Sequence, residues 1–162
     1  MGRRLSGVLL LAVAGSLGAA EPNVDISTIV DKTAAESVLG GEVKAPTPIN
    51  IQGTDGYYSK CNYYSAIPGK ALILRFYRGP AGSDAGEELD RVKASTGLTK
   101  TVSGLGDRAE ISAGPAGTLN ANVTMLYVVK ANSLITIGLR GLDDDSASAK
   151  AKELAQKIIE HL

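Results

Sequence analysis

The chain has 162 residues, with 17 Lys and Arg against 17 Asp and Glu, one His and one Cys. A charge balance this even argues against a nucleic-acid binder, whose phosphate contacts demand a basic surplus. One cysteine rules out an intramolecular disulfide, and one histidine leaves little for transition-metal ligation or for the commonest general base.

In chain order the first element is a leader. Arg3 and Arg4 precede an apolar and small run from Leu5 to Leu17, then Gly18-Ala19-Ala20 stands before Glu21. This is the layout of a secretory signal, with cleavage expected after Ala20. The run is shorter than the roughly 18 to 20 apolar residues that span a bilayer, so no transmembrane segment is expected once the signal is removed. No cysteine stands directly after Ala20 to take a lipid, and Leu5-Ser6-Gly7 does not extend a twin-arginine pattern. The expected organisation is a signal peptide over 1–20 and a single globular domain over 21–162, periplasmic or secreted. Losing the leader removes Arg3 and Arg4 and no carboxylate, which leaves the remainder slightly acidic.

After a short tail, Ile26, Ile29, Val30, Ala34, Val38 and Leu39 recur at helical spacing, and Thr33-Ala-Ala-Glu36 reads as a capping box. A short first turn and a helix from Ala34 to Leu39 are predicted, stopped by Gly40-Gly41. The Pro- and Gly-bearing stretch from Lys44 to Gly56 reads as a loop with at most one edge strand. Tyr57 to Ser65 and Lys70 to Arg78 form a hairpin around Ile67-Pro68-Gly69. Ser83 or Asp84 then caps a helix reaching about Ala94, with Leu89 and Val92 inward. Val102 to Ile111 is a tight turn running into a strand. Leu119 to Lys130 and Leu134 to Arg140 form a second hairpin closed by Ala131-Asn132-Ser133, with Ile135, Ile137 and Leu139 on its one core face. A last helix starts near Ser146, with Asp143, Asp144 and Asp145 at its amino end and a stripe of Ala151, Leu154, Ala155, Ile158, Ile159 and Leu162. The fold class is α+β: an antiparallel sheet of four to six strands, helices packed mainly on one face, and a long C-terminal helix.

Little catalytic chemistry is legible. The sole histidine, His161, stands one residue from the C-terminus where a helix frays, so Ser-His-Asp and Cys-His arrangements are set aside. No His and Cys cluster suggests a metal. Asp143 to Asp145 lack the alternating ligands and glycine of a calcium loop and read as a helix cap. Gly104-Leu-Gly-Asp-Arg-Ala109 lacks the Lys-Ser or Lys-Thr pair of a phosphate loop, and reads as a turn in which Asp107 bonds local amides and Arg108 covers the sheet edge. Asn122-Val-Thr124 matches the glycosylation triplet inside a predicted strand and is given no role. Cys61 is expected to be a buried thiol.

Several ordered landmarks belong together: Ser37-Val38-Leu39-Gly40, Cys61-Asn-Tyr63, Val102-Ser-Gly-Leu-Gly-Asp-Arg-Ala109, Leu126-Tyr-Val-Val-Lys130 and Ala149-Lys-Ala-Lys-Glu-Leu-Ala-Gln-Lys157. With them the chain resembles a broad group of bacterial exported and lipoprotein-like domains of unknown function. The resemblance implies export and fold but no activity. It also implies a pairing of the Cys-x-Tyr cysteine with a second one near the first helix, which this chain lacks.

Alternation places Tyr57, Ser59, Cys61 and Tyr63 on the core face of the first hairpin, with Tyr58, Lys60, Asn62 and Tyr64 opposite. On its second arm Leu72, Leu74 and Phe76 face the core, with Ile73, Arg75 and Tyr77 opposite. Tyr58, Lys60, Tyr64, Arg75 and Tyr77 are therefore the candidate binding residues, since Tyr and Arg give large contact area with polar tips. An anionic or carbohydrate ligand, or an acidic patch on an envelope protein, would suit Lys60 and Arg75. The functional expectation is a non-catalytic binding module of the bacterial envelope with no cofactor; a secreted hydrolase of unfamiliar type and an inhibitor-like protein are the alternatives.

Overall fold

The structure, a computed structural model, describes residues 22–97, 99–116 and 119–162. The expected signal peptide over 1–20 lies outside them. Two aspartates start the first helices. Asp25 accepts from the Ser27 amide at 2.9 Å and opens α1 (Ile26–Ile29). Asp31 accepts from the Ala34 amide at 2.8 Å and opens α2 (Lys32–Leu39), which Gly40 ends in the left-handed region at φ 73°. The capping box expected at Thr33 and Glu36 does not form. Asp31 already fills the cap two residues earlier, and the Glu36 carboxylate accepts from the Val43 amide at 3.3 Å instead.

Three strands follow as a meander: β1 (Ile49–Gln52), β2 (Tyr57–Tyr64) and β3 (Ala71–Arg78). Helix α3 (Ala85–Thr96), capped by Asp84 with Glu87 and Glu88 in its first turn, carries the chain across to the far edge. A second meander returns through β4 (Lys100–Thr101), β5 (Arg108–Ala116), β6 (Leu119–Lys130) and β7 (Ser133–Arg140), so that β7 pairs with β3. One antiparallel sheet of order β1-β2-β3-β7-β6-β5-β4 results. Its seven strands exceed the four to six expected, because the edge strand β4 has only two residues and leaves no periodic signal.

Helices α1, α2 and α4 (Asp144–Ile159) cover one face of this α+β fold. There Tyr63, Leu72, Leu74, Phe76, Leu126, Ile135, Ile137 and Leu139 meet Ile26, Leu39 and Ile158, all essentially inaccessible to water. The core side of β2 also grips the chain entering α1: the Tyr57 hydroxyl donates to the Val24 carbonyl, that of Tyr63 to Val30, and Ser59 accepts from the Ile26 amide. The acidic start of α4 is a cap, Asp143 accepting from the Ser146 amide at 2.9 Å. The apolar stripe stops short of Leu162, which is exposed beyond the end of the helix.

Helix α3 lies alone on the opposite face, where Ala85 and Leu89 pack on Tyr127, Val129 and Leu134. This corrects the expectation of a single core face on β7: both faces of that strand are buried, since it is central and has helices above and below. Period-two patterning fades in a strand covered on both sides.

Candidate functional site

The registers on the α3 face place residues of neighbouring strands directly side by side. One row runs Ile49, Lys60, Arg75, Thr136, Tyr127 and Glu110 across β1, β2, β3, β7, β6 and β5. The next runs Ile51, Tyr58, Tyr77, Leu134 and Val129. Helix α3 covers only the β6–β7 end of these rows, which leaves the β1–β3 end open. The uncovered part is a groove of about 820 Å³ with Glu88, Arg91 and Val92 of α3 as one wall and Ile49 and Ile51 as the other.

Four of the five predicted binding residues, Tyr58, Lys60, Arg75 and Tyr77, line this groove. The fifth, Tyr64, does not. It lies at the far end of β2 opposite Ala71, exposed, with its hydroxyl accepting from the Asn62 amide nitrogen at 3.2 Å.

The tyrosine pair is held in place from one side. The rings of Tyr58 and Tyr77 sit 4.9 Å apart between centroids and tilted. Both hydroxyls reach Asp55 in the β1–β2 turn, Tyr58 donating to its carboxylate at 2.7 Å and Tyr77 to its carbonyl at 2.9 Å. The Asp55 hydrogen bond, with desolvation behind it, pushes the Tyr58 phenol up to about 12. On the α3 wall, Arg91 pairs with Glu88 at 2.9 Å. Both carboxylates lining the groove are thus engaged. The side chains of Lys60 and Arg75, directly opposite one another, make no hydrogen bond or ion pair with a described residue.

Sequence reasoning missed Tyr127 as a site residue. It is 5% exposed, lines the groove, and its hydroxyl has no hydrogen-bond partner among the described residues. Burial pushes its phenol up, and the nearby Arg75 charge offsets part of that shift. Alternation along β6 would have put Tyr127 on this face, but only the pairing of β6 with β7 and of β7 with β3 brings it level with Arg75.

Other motifs resolve as structure. Cys61 is fully buried, and burial pushes its thiol up. In the Gly104–Ala109 turn, Gly106 at φ 62° packs so closely that a Cβ would stand 2.5 Å from the Val129 carbonyl. Asp107 does not bond local amides: its carboxylate accepts from the Ala131 amide at 2.6 Å and from Lys130 at 3.0 Å, fastening the β6–β7 turn. Arg108, at the start of β5 beyond the two residues that β4 pairs with, sends its guanidinium to Asp90 of α3.

Two further cavities also carry cations. Between α2 and α4, in a cavity of about 560 Å³, Lys150 donates to the Val38 carbonyl at 2.6 Å. At the loop end, in one of about 860 Å³, Arg78 donates to the Pro22 carbonyl at 2.7 Å. The groove under α3 differs from both in setting two cations directly opposite one another on adjacent strands. No protein-family model matches the chain, and no curated protein gives a significant match.

Proposed function

We propose that this chain is an exported, non-catalytic binding module of the bacterial envelope that takes an anionic ligand in the groove between α3 and the β1–β3 half of the sheet. The leader layout of residues 1–20 supports export. The observation that carries the binding reading is the Lys60 and Arg75 pair: two cations on adjacent strands at the groove floor, while Asp55 and Glu88 are already engaged. Like charges set opposite one another across a sheet repel. A fold that keeps such a pair gains when an anion settles beside them. A neutral sugar would use the tyrosines but leave this repulsion in place.

A ligand that binds only the folded chain raises its melting temperature by mass action. The protein, purified after export of the full chain, is screened by thermal shift against carboxylates, phosphates and neutral sugars. Anionic members are expected to raise the melting temperature. The Lys60→Ala/Arg75→Ala variant should keep the wild-type circular dichroism, because neither side chain has a protein partner to lose, and should lose the shift. An anion-induced shift that survives in the double variant, or no shift with any anion, would contradict the reading.

A further inference from the structure

We infer that the anion is the carboxylate of an amphiphile, its head group held by Arg75 and the Tyr127 hydroxyl and its apolar body lying along Tyr58, Ile49 and Ile51. This rests on the groove being an anion site, and it adds which atoms meet the ligand and what the rest of the ligand is.

The first support is Tyr127. Buried tyrosines ordinarily find a partner for the hydroxyl, and in this protein Tyr57 and Tyr63 each donate to a backbone carbonyl. Tyr127 is 5% exposed as a residue, yet its hydroxyl has no partner among the described residues and, not being sealed from water, opens onto the groove it lines. That leaves it a donor for something the groove holds. The second support is the row itself. Arg75, Thr136 and Tyr127 are consecutive across β3, β7 and β6, so guanidinium, hydroxyl and phenol stand side by side. All three donate. A carboxylate only accepts, and its two in-plane oxygens fit one guanidinium fork.

The third support is the opposite end of the groove. Ile49 is 40% exposed, Ile51 55% and Tyr58 40%, three of the six large hydrophobic residues exposed among the described residues. They gather on β1 and β2, two strands and one strand from Arg75, about 10 and about 5 Å across the sheet at the usual strand spacing. Exposed apolar side chains that cluster beside a polar anchor mark a surface built for an apolar body.

Titration calorimetry with decanoate below its micelle concentration tests this, with acetate, inorganic phosphate and decanol as comparison ligands. Decanoate is expected to bind at least tenfold tighter than any of the three, since each lacks the apolar body or the carboxylate. Tyr127→Phe is expected to weaken decanoate about tenfold, the effect of losing a hydrogen bond to a charged group. Its melting temperature should hold or rise, because the lost hydroxyl has no protein partner. Arg75→Ala should weaken decanoate by at least as much. If Tyr127→Phe binds decanoate like the wild type, or if acetate or phosphate matches decanoate, this inference fails while anion binding stands. If no anion binds at all, both fail together.

Discussion

The β6–β7 turn shows how single residues trade local strain against tertiary bonds. Ala131 is the one non-glycine at positive φ among the described residues, at 51°. Its amide is held by Asp107, and the neighbouring Asn132 donates to the Gly79 carbonyl at 2.9 Å. An alanine in that region costs about 1 kcal/mol relative to glycine. Ala131→Gly should therefore raise the unfolding free energy from urea denaturation, and with it the midpoint, by up to about 1 kcal/mol less what glycine's extra unfolded-state entropy takes back. A lowered midpoint would mean the turn does not sit as described. Gly106→Ala should act the opposite way and far more strongly, because a Cβ there meets Val129 backbone. Residue-level chemistry was legible from sequence where it is local: the Asp84 and Asp143 caps, the buried Cys61, and the alternation that pointed Lys60 and Arg75 to one face. Asp107 was misread because its partner Ala131 stands 24 residues away, beyond any local signal.

Among the elements, α3 decides whether the groove has two walls. It is held by Leu89 packing and by a polar clasp beneath it, where the nearly buried Glu110 carboxylate accepts from Lys93 at 2.8 Å and from Thr99 at 2.9 Å. The Lys93 hydrogen bond leads in holding the Glu110 carboxyl below its ordinary value of 4.5. A carboxyl depressed in the folded state stabilises fully above its unfolded value, and that contribution is lost as the pH falls through the folded one. Acid should therefore loosen α3 before the sheet. In hydrogen exchange, the amides around Leu89 should lose protection at a higher pH than those around Ile137. Glu110→Gln should remove this difference, at a cost of about 1 to 2 kcal/mol in stability from the weakened clasp. Simultaneous loss of protection in both elements on acidification would show that the clasp does not hold α3. The helix itself was predictable from its Asp84 cap and Leu89 spacing. Its place on the opposite face from the other helices was not, because a cap and a stripe fix a helix without saying which side of a sheet it covers.

At the scale of the molecule, the sheet is two meanders fastened along β3 and β7, with its main core under α4. Replacing Ile158, which is fully buried, with Asp would put an unpaired charge into that core. The variant should unfold or lose at least about 4 kcal/mol, an exceptional effect for one substitution; a soluble variant with an unchanged melting temperature would contradict the packing. The α+β class and the C-terminal helix were open to sequence reasoning, because alternation and a long stripe are strong periodic signals. Strand order was not, since nothing local says that the last strand returns to pair with β3. That pairing is also what sets Tyr127 and Thr136 level with Arg75, so the site was half legible for the same physical reason.

The central claim is that the open half of the α3 face is where this protein meets an anion. Amide chemical-shift mapping of the ¹⁵N-labelled protein during a decanoate titration tests it most directly. The account predicts shifts concentrated at Lys60, Arg75, Thr136 and Tyr127, with the amides of α2 and α4 unmoved. Shifts centred on the α2–α4 cavity around Lys150, or spread evenly over the surface, would contradict it.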